Sequence, residues 1–116
     1  MELNNKPYFR HFIIEIECPF KMANSLTWVK TKTLTLIKKL DIEVLESVEH
    51  LFQPQGISLL YIISSSHMAI HTWPENKYIH IELLTCSKNK KLDNIELVIK
   101  KIFPKFKSKV MELDCY

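Results

Sequence analysis

Between residues 52 and 86 the chain collects side chains that can do chemistry. Ser58 is followed by a triple serine, Ser64-Ser65-Ser66, and then by His67, His71, Glu75 and Cys86. Hydroxyls and thiols are nucleophiles and proton carriers, and an imidazole is a base near neutral pH. A purely structural hairpin rarely collects that set. Taken alone, Ser64–Ser66 would fit an ordinary strand edge or bulge. His67 and His71 stand four apart, a zinc-ligand spacing on a helix. Here they fall in an extended segment with no third ligand spaced to join them, so no metal site is expected.

Extended elements must hold these groups. Ile57–Ile63 is an apolar run, the pattern of a strand buried on both faces. Residues 66 to 73 continue extended, and Pro74-Glu75-Asn76-Lys77 makes a turn. Tyr78, His80, Glu82, Leu84 and Cys86 then alternate with Ile79, Ile81, Leu83 and Thr85, as in a half-buried strand. Ser58 and Ser66 lie eight residues apart, roughly 26 Å in one straight strand at ~3.3 Å per residue. If both serve one site, the chain must bend back between them or two protomers must share the site.

Upstream, residues 8 to 17 are aromatic and β-branched, a strand closed by Cys18-Pro19. Asn24 or Ser25 can cap the following helix, whose apolar stripe runs Leu26, Val29, Thr33, Leu36, Ile37 and Leu40. Residues 43 to 52 read as a strand with Val44, Glu46, Val48, His50 and Phe52 on one face. Gln53-Pro54-Gln55-Gly56 is a turn. Residues 87 to 91 form a solvated loop. Leu92, Ile95, Val98, Ile99 and Ile102 mark a second helix, stopped before Pro104, and 110 to 116 a last strand. The order β-α-β-β-β-α-β predicts an α+β two-layer sandwich, two helices on one face of a mainly antiparallel sheet.

Composition narrows the function classes. The chain has 116 residues, 47% of them apolar, as expected for one domain, 1–116, with a real core. The formal charge of +3, from 16 basic and 13 acidic residues, is too small to argue for nucleic acid. The lysines from 88 to 109 lack a tidy interleaving of aromatics and read as a solvated face. Cys18, Cys86 and Cys115 are scattered and odd in number, which suits a reducing cytoplasm rather than a disulfide framework. The polar N-terminus does not read as a signal peptide. No apolar run approaches the ~20 residues of a membrane helix.

Gly56-Ile57-Ser58, then Ser66-His67, Ile70-His71-Thr72-Trp73-Pro74-Glu75 and Leu84-Thr85-Cys86, together resemble the prokaryotic S-adenosylmethionine decarboxylase family of small pyruvoyl enzymes. Phe52-x-Pro54 matches too, and Arg10-His11 and Glu17-Cys18 are fainter echoes. The likeness covers about residues 8 to 103 in layout and is dense from 52 to 86. It implies self-cleavage between Ser65 and Ser66, the Ser66 hydroxyl attacking the preceding carbonyl. Ser66 would then become a covalent pyruvoyl group that forms a Schiff base with S-adenosylmethionine and takes up the electrons left by CO₂. No metal and no PLP are implied.

By the same resemblance His71 is the processing base, Ser58 assists processing and Cys86 returns a proton to the substrate carbon. Phe52 stacks on adenine and Glu75 accepts hydrogen bonds from the ribose. The product would feed spermidine synthesis, and the assembly would be a homodimer. One position departs from the family: Ser65 stands where it has Glu, which opens attack by Ser65 on the Ser64 carbonyl. Gln55 replaces a frequent aromatic. Two other readings stay open: a pyruvoyl arginine or ornithine decarboxylase on the same scaffold, and an uncleaved, non-catalytic partner or binding subunit. No task is assigned to His11, His50 or His80.

Overall fold

The computed structural model describes residues 3–64 and 66–115. Among these residues six strands form one sheet: β1 (Arg10–Glu17), β2 (Val44–Leu51), β3 (Ile57–Ile63), β4 (Ser66–Trp73), β5 (Tyr78–Thr85) and β6 (Ser108–Leu113). Their order across the sheet is β2-β3-β4-β5-β1-β6. Every pairing is antiparallel. The helices are α1 (Phe20–Ala23), α2 (Leu26–Lys39) and α3 (Ile95–Ile102), with 3-10 turns at Pro74–Asn76 and Lys90–Asn94. The α+β layout expected from the pattern is the observed one. Beyond the two expected helices, the chain adds the single turn of α1 between Cys18-Pro19 and Asn24. The last strand also begins earlier, at Ser108, and stops earlier, at Leu113.

The core lies between one sheet face and the helices. β1 alternates Phe12, Ile14 and Ile16 inward, and all three are buried. Flanked by β5 and β6, it sits inside the sheet, and its inward residues meet the helical layer. Removing an inward Ile would cost about 2–5 kcal/mol, transfer plus cavity. α2 buries Val29, Thr33, Leu36 and Ile37, spaced as one helical face. Thr33 is polar yet buried, and its hydroxyl donates to the Lys30 carbonyl (3.1 Å), so burial leaves no orphan donor. Of the two candidate caps it is Ser25 whose Oγ accepts the Trp28 N–H (3.2 Å).

Among the described residues no helix covers the other sheet face. The apolar run of β3 is therefore buried on one side only, against the two-sided burial that it suggests: Ile57, Leu59, Tyr61 and Ile63 face the core, while Leu60 and Ile62 are about half exposed. An apolar run records hydrophobicity but not which layers cover it. The common face expected for 44 to 52 also breaks. A register shift between Val44 and Glu46 sets Val44 opposite the buried Ile63, where it packs on the core. Glu46, Val48 and His50 face the open side opposite Ile62, Leu60 and Ser58.

Candidate active site

The β3–β4 hairpin sets the geometry of the site. Ser58 on β3 is directly opposite His71 on β4. Both lie on the open face, and Ser58 Oγ is 2.6 Å from His71 Nδ1. Around this pair a cavity of about 290 Å³ is lined by Phe52, Gln55, Gly56, Trp73 and Glu75 as well. Phe52 follows β2 and is half exposed, its ring edge-on to His50 at 4.5 Å. Glu75 sits on the 3-10 turn after β4, where Pro74 opens the turn and Lys77 closes it with a left-handed φ of 54°. Trp73 is 43% exposed and forms a wall of the cavity.

Ser66 and Cys86 form a second pair at the far end of the hairpin. Ser66 Oγ accepts the Cys86 N–H at 3.0 Å and lies 3.9 Å from Cys86 Sγ. Ser66 is paired with Ile63, whereas His71 is paired with Ser58. Ser66 and His71 are five positions apart on β4, roughly 17 Å at ~3.4 Å per residue. The chain does bend back between Ser58 and Ser66, but the turn leaves the two at opposite ends of the hairpin. Ser65, the residue before the expected cleavage point, lies outside the described residues.

Between the two ends runs a polar strip that the sequence did not assign. Glu82 on β5 is held by His11 Nε2 (2.9 Å) and, more loosely, by His67 Nε2 (3.4 Å). The His11 bond is the main reason its carboxyl is held below the usual range, with His67 adding to it and burial opposing. Tyr78 donates to Glu15 Oε2 at 2.7 Å and stands 2.7 Å from His80 Nδ1. Because the tyrosine proton goes to Glu15, the His80 contact requires the ring Nδ1–H to be the donor. Burial, aided by the Glu15 bond, pushes the Tyr78 hydroxyl up to about 12. These partners escaped the sequence reading because they meet only through strand register, β1 against β5 and β5 against β4.

Two remaining groups are structural. Arg10 bonds Glu112 and Asp93, joining β1 to β6 and to the turn before α3. The Cys18 thiol is pushed up to about 11 by burial. Among the described residues, no group of three or more His, Cys, Asp or Glu is placed to hold a metal ion. Nor is any helix among them long and apolar enough to cross a membrane.

An antiparallel α+β protein with a Ser–His pair at one end of a hairpin and a Ser–Cys pair at the other defines the class. Residues 10–115 match the family model described as S-adenosylmethionine decarboxylase. The chain belongs to the S-adenosylmethionine decarboxylase family of enzymes. It is 39% identical over 79 residues to an S-adenosylmethionine decarboxylase proenzyme of Clostridium botulinum, covering 67% of this chain and 68% of that one. A proenzyme of the same name from Pelotomaculum thermopropionicum is 41% identical over 78 residues, covering 66% and 62%. The solved structure of the adenosylmethionine decarboxylase from Aquifex aeolicus superposes with a TM-score of 0.74, covering 96% and 94% of the two chains at 19% identity. That likeness concerns the fold.

Proposed function

We propose that the chain is a proenzyme that cleaves itself before Ser66 and then decarboxylates S-adenosylmethionine through the pyruvoyl group so formed. The observation that carries this reading is the pair of half-sites, each with half of the needed groups. Ser66 fits as the precursor: it opens a strand with its hydroxyl held by the Cys86 N–H and a thiol within 4 Å.

In the cleavage, the Ser66 oxygen attacks the carbonyl carbon of residue 65 and the peptide C–N bond breaks, leaving an ester and a free amine. A base then removes the Ser66 Cα proton and the Cβ–O bond breaks, releasing residue 65 as a carboxylate. Water converts the resulting enamine to a ketone with loss of ammonia. His71 is suited to be that base, since Ser58 holds its ring through Nδ1. Once formed, the pyruvoyl group supplies the electron sink for loss of CO₂. Cys86, beside residue 66, is placed to give a proton to the substrate carbon. Phe52 and Trp73 offer apolar walls to adenine, and Glu75 accepts from the ribose hydroxyls. A nucleoside suits this cavity better than a bare basic amino acid, which has no use for the aromatic walls.

With roughly 17 Å between Ser66 and His71 in one chain, the site needs two copies. A two-fold stacking of open sheet faces, with the axis across the strands, sets the Ser66–Cys86 end of one chain against the Ser58–His71 end of the other. The half-exposed Leu60, Ile62 and Trp73 and the more exposed Val48 give that face an apolar surface to bury. We place the enzyme in the reducing cytoplasm, where its three free cysteines are stable, with its product serving spermidine synthesis.

Intact-mass measurement after incubation at neutral pH tests the reading. It should give two fragments, one ending at Ser65 and one spanning 66 to 116, the second lighter by one ammonia than a serine-initiated chain. Turnover of S-adenosylmethionine, arginine and ornithine is then compared. A chain that stays whole would leave an uncleaved homologue. In that case Ser65→Glu asks whether the missing carboxylate is the cause. Exclusive turnover of an amino acid would move the substrate to the rival class.

A further inference from the structure

We propose that Asn24 is a positioning residue for the nucleoside end of the site, a role that rests on the decarboxylase reading above. Asn24 and Ser25 are both suited by type to cap α2, but only one is used for it. Ser25 Oγ takes the Trp28 N–H. The Asn24 side chain instead reaches 32 residues along the chain, where its Oδ1 accepts the Gly56 N–H at 3.0 Å. Its starting point is fixed, because its backbone N–H ends α1 by bonding the Phe20 carbonyl (2.9 Å).

Gly56 is the hinge of the loop that carries Phe52. Its φ of 108° suits only glycine, and an added Cβ would meet the Thr72 carbonyl at 3.5 Å and the Phe52 Cβ at 3.7 Å. Its carbonyl accepts the Phe52 N–H at 2.9 Å, which closes the loop. The next N–H, of Ile57, goes to the buried Thr72 hydroxyl at 3.0 Å. Phe52 is thus pinned to Gly56, and Gly56 is pinned to the helical layer through Asn24. The same short helix packs on the 3-10 turn that bears Glu75. The adenine wall and the ribose acceptor therefore share one brace, which Asn24 completes. Ser58 and His71 do not depend on it, since ladder pairing holds them.

The prediction separates binding from self-cleavage. In Asn24→Ala the Gly56 N–H loses its partner and Phe52 loses its fixed position. KM for S-adenosylmethionine should rise about 5–10-fold, the worth of one such bond. The rates of self-cleavage and kcat should stay within about twofold. Asn24→Asp keeps an acceptor oxygen in the same place and should return KM to within about twofold of wild type. Affinity for 5′-methylthioadenosine, read by calorimetry, should follow KM in both variants. An unchanged KM in Asn24→Ala overturns the proposal, as does an Asp variant as impaired as Ala while its melting temperature matches wild type. A wild-type chain that neither cleaves nor binds the nucleoside overturns the function reading and this proposal together. That outcome is distinct from a cleaving, active enzyme indifferent to Asn24.

Discussion

Mixing two inactive variants tests the shared site most directly. Ser66→Ala removes the attacking hydroxyl but keeps Ser58 and His71; His71→Ala keeps Ser66 and Cys86 but loses the base. Within one chain the two positions are five residues apart on β4, roughly 17 Å, and a base must come within about 3 Å of the proton that it removes. No rotamer closes that gap. If the base comes from the partner, a hybrid dimer contains one wholly intact site, built from Ser66 of one chain and His71 of the other. Equal mixing by co-expression or refolding makes about half of the dimers hybrid, so about half of the His71→Ala chains should be cleaved. Neither variant alone should cleave appreciably. The assay is intact mass, in which a tag on one variant distinguishes the chains. His71→Ala chains that stay whole in verified hybrids would refute the two-chain site. Cleavage of His71→Ala alone at the wild-type rate would refute the base.

Ser58→Ala removes the 2.6 Å bond to His71, and cleavage followed by gel should slow about 5–10-fold as the ring loses its fixed orientation. Glu82 is held below its ordinary carboxyl range by His11 and then His67. Its folded value lies below its unfolded one, so its contribution to stability is present above about pH 4.3 and is lost as the pH falls further. Melting curves of Glu82→Gln should therefore fall less steeply than wild type from about pH 5 to 3.5; parallel curves would contradict the role of the His11 bond. Ile14 is fully buried on β1, between β5 and β6, and Ile14→Ala should cost about 2–5 kcal/mol in urea unfolding. Leu60→Glu puts a charge on the open face without touching the core. It should shift sedimentation toward monomer and stop cleavage together.

The motif residues and their elements were legible in the sequence because both signals are local. Aromatic and β-branched residues marked β1, alternation marked β5, helical spacing marked α2, and the run Gly56-x-Ser58, Ser66-His67, Ile70–Glu75 and Thr85-Cys86 carried the family. What could not be read was which of these residues meet. Ser58 and His71, thirteen apart, are in contact, while Ser66 and His71, five apart, are not. That inversion is the work of antiparallel pairing, which brings distant residues together and keeps neighbours on one strand apart. One-sided burial of β3 depends on where the helices pack, and the placing of Val44 depends on a bulge. The choice of Ser25 over Asn24 as cap was open to either residue type. Only the approach of Gly56 decided it, because a hydrogen bond between elements needs a distance that no sequence pattern records.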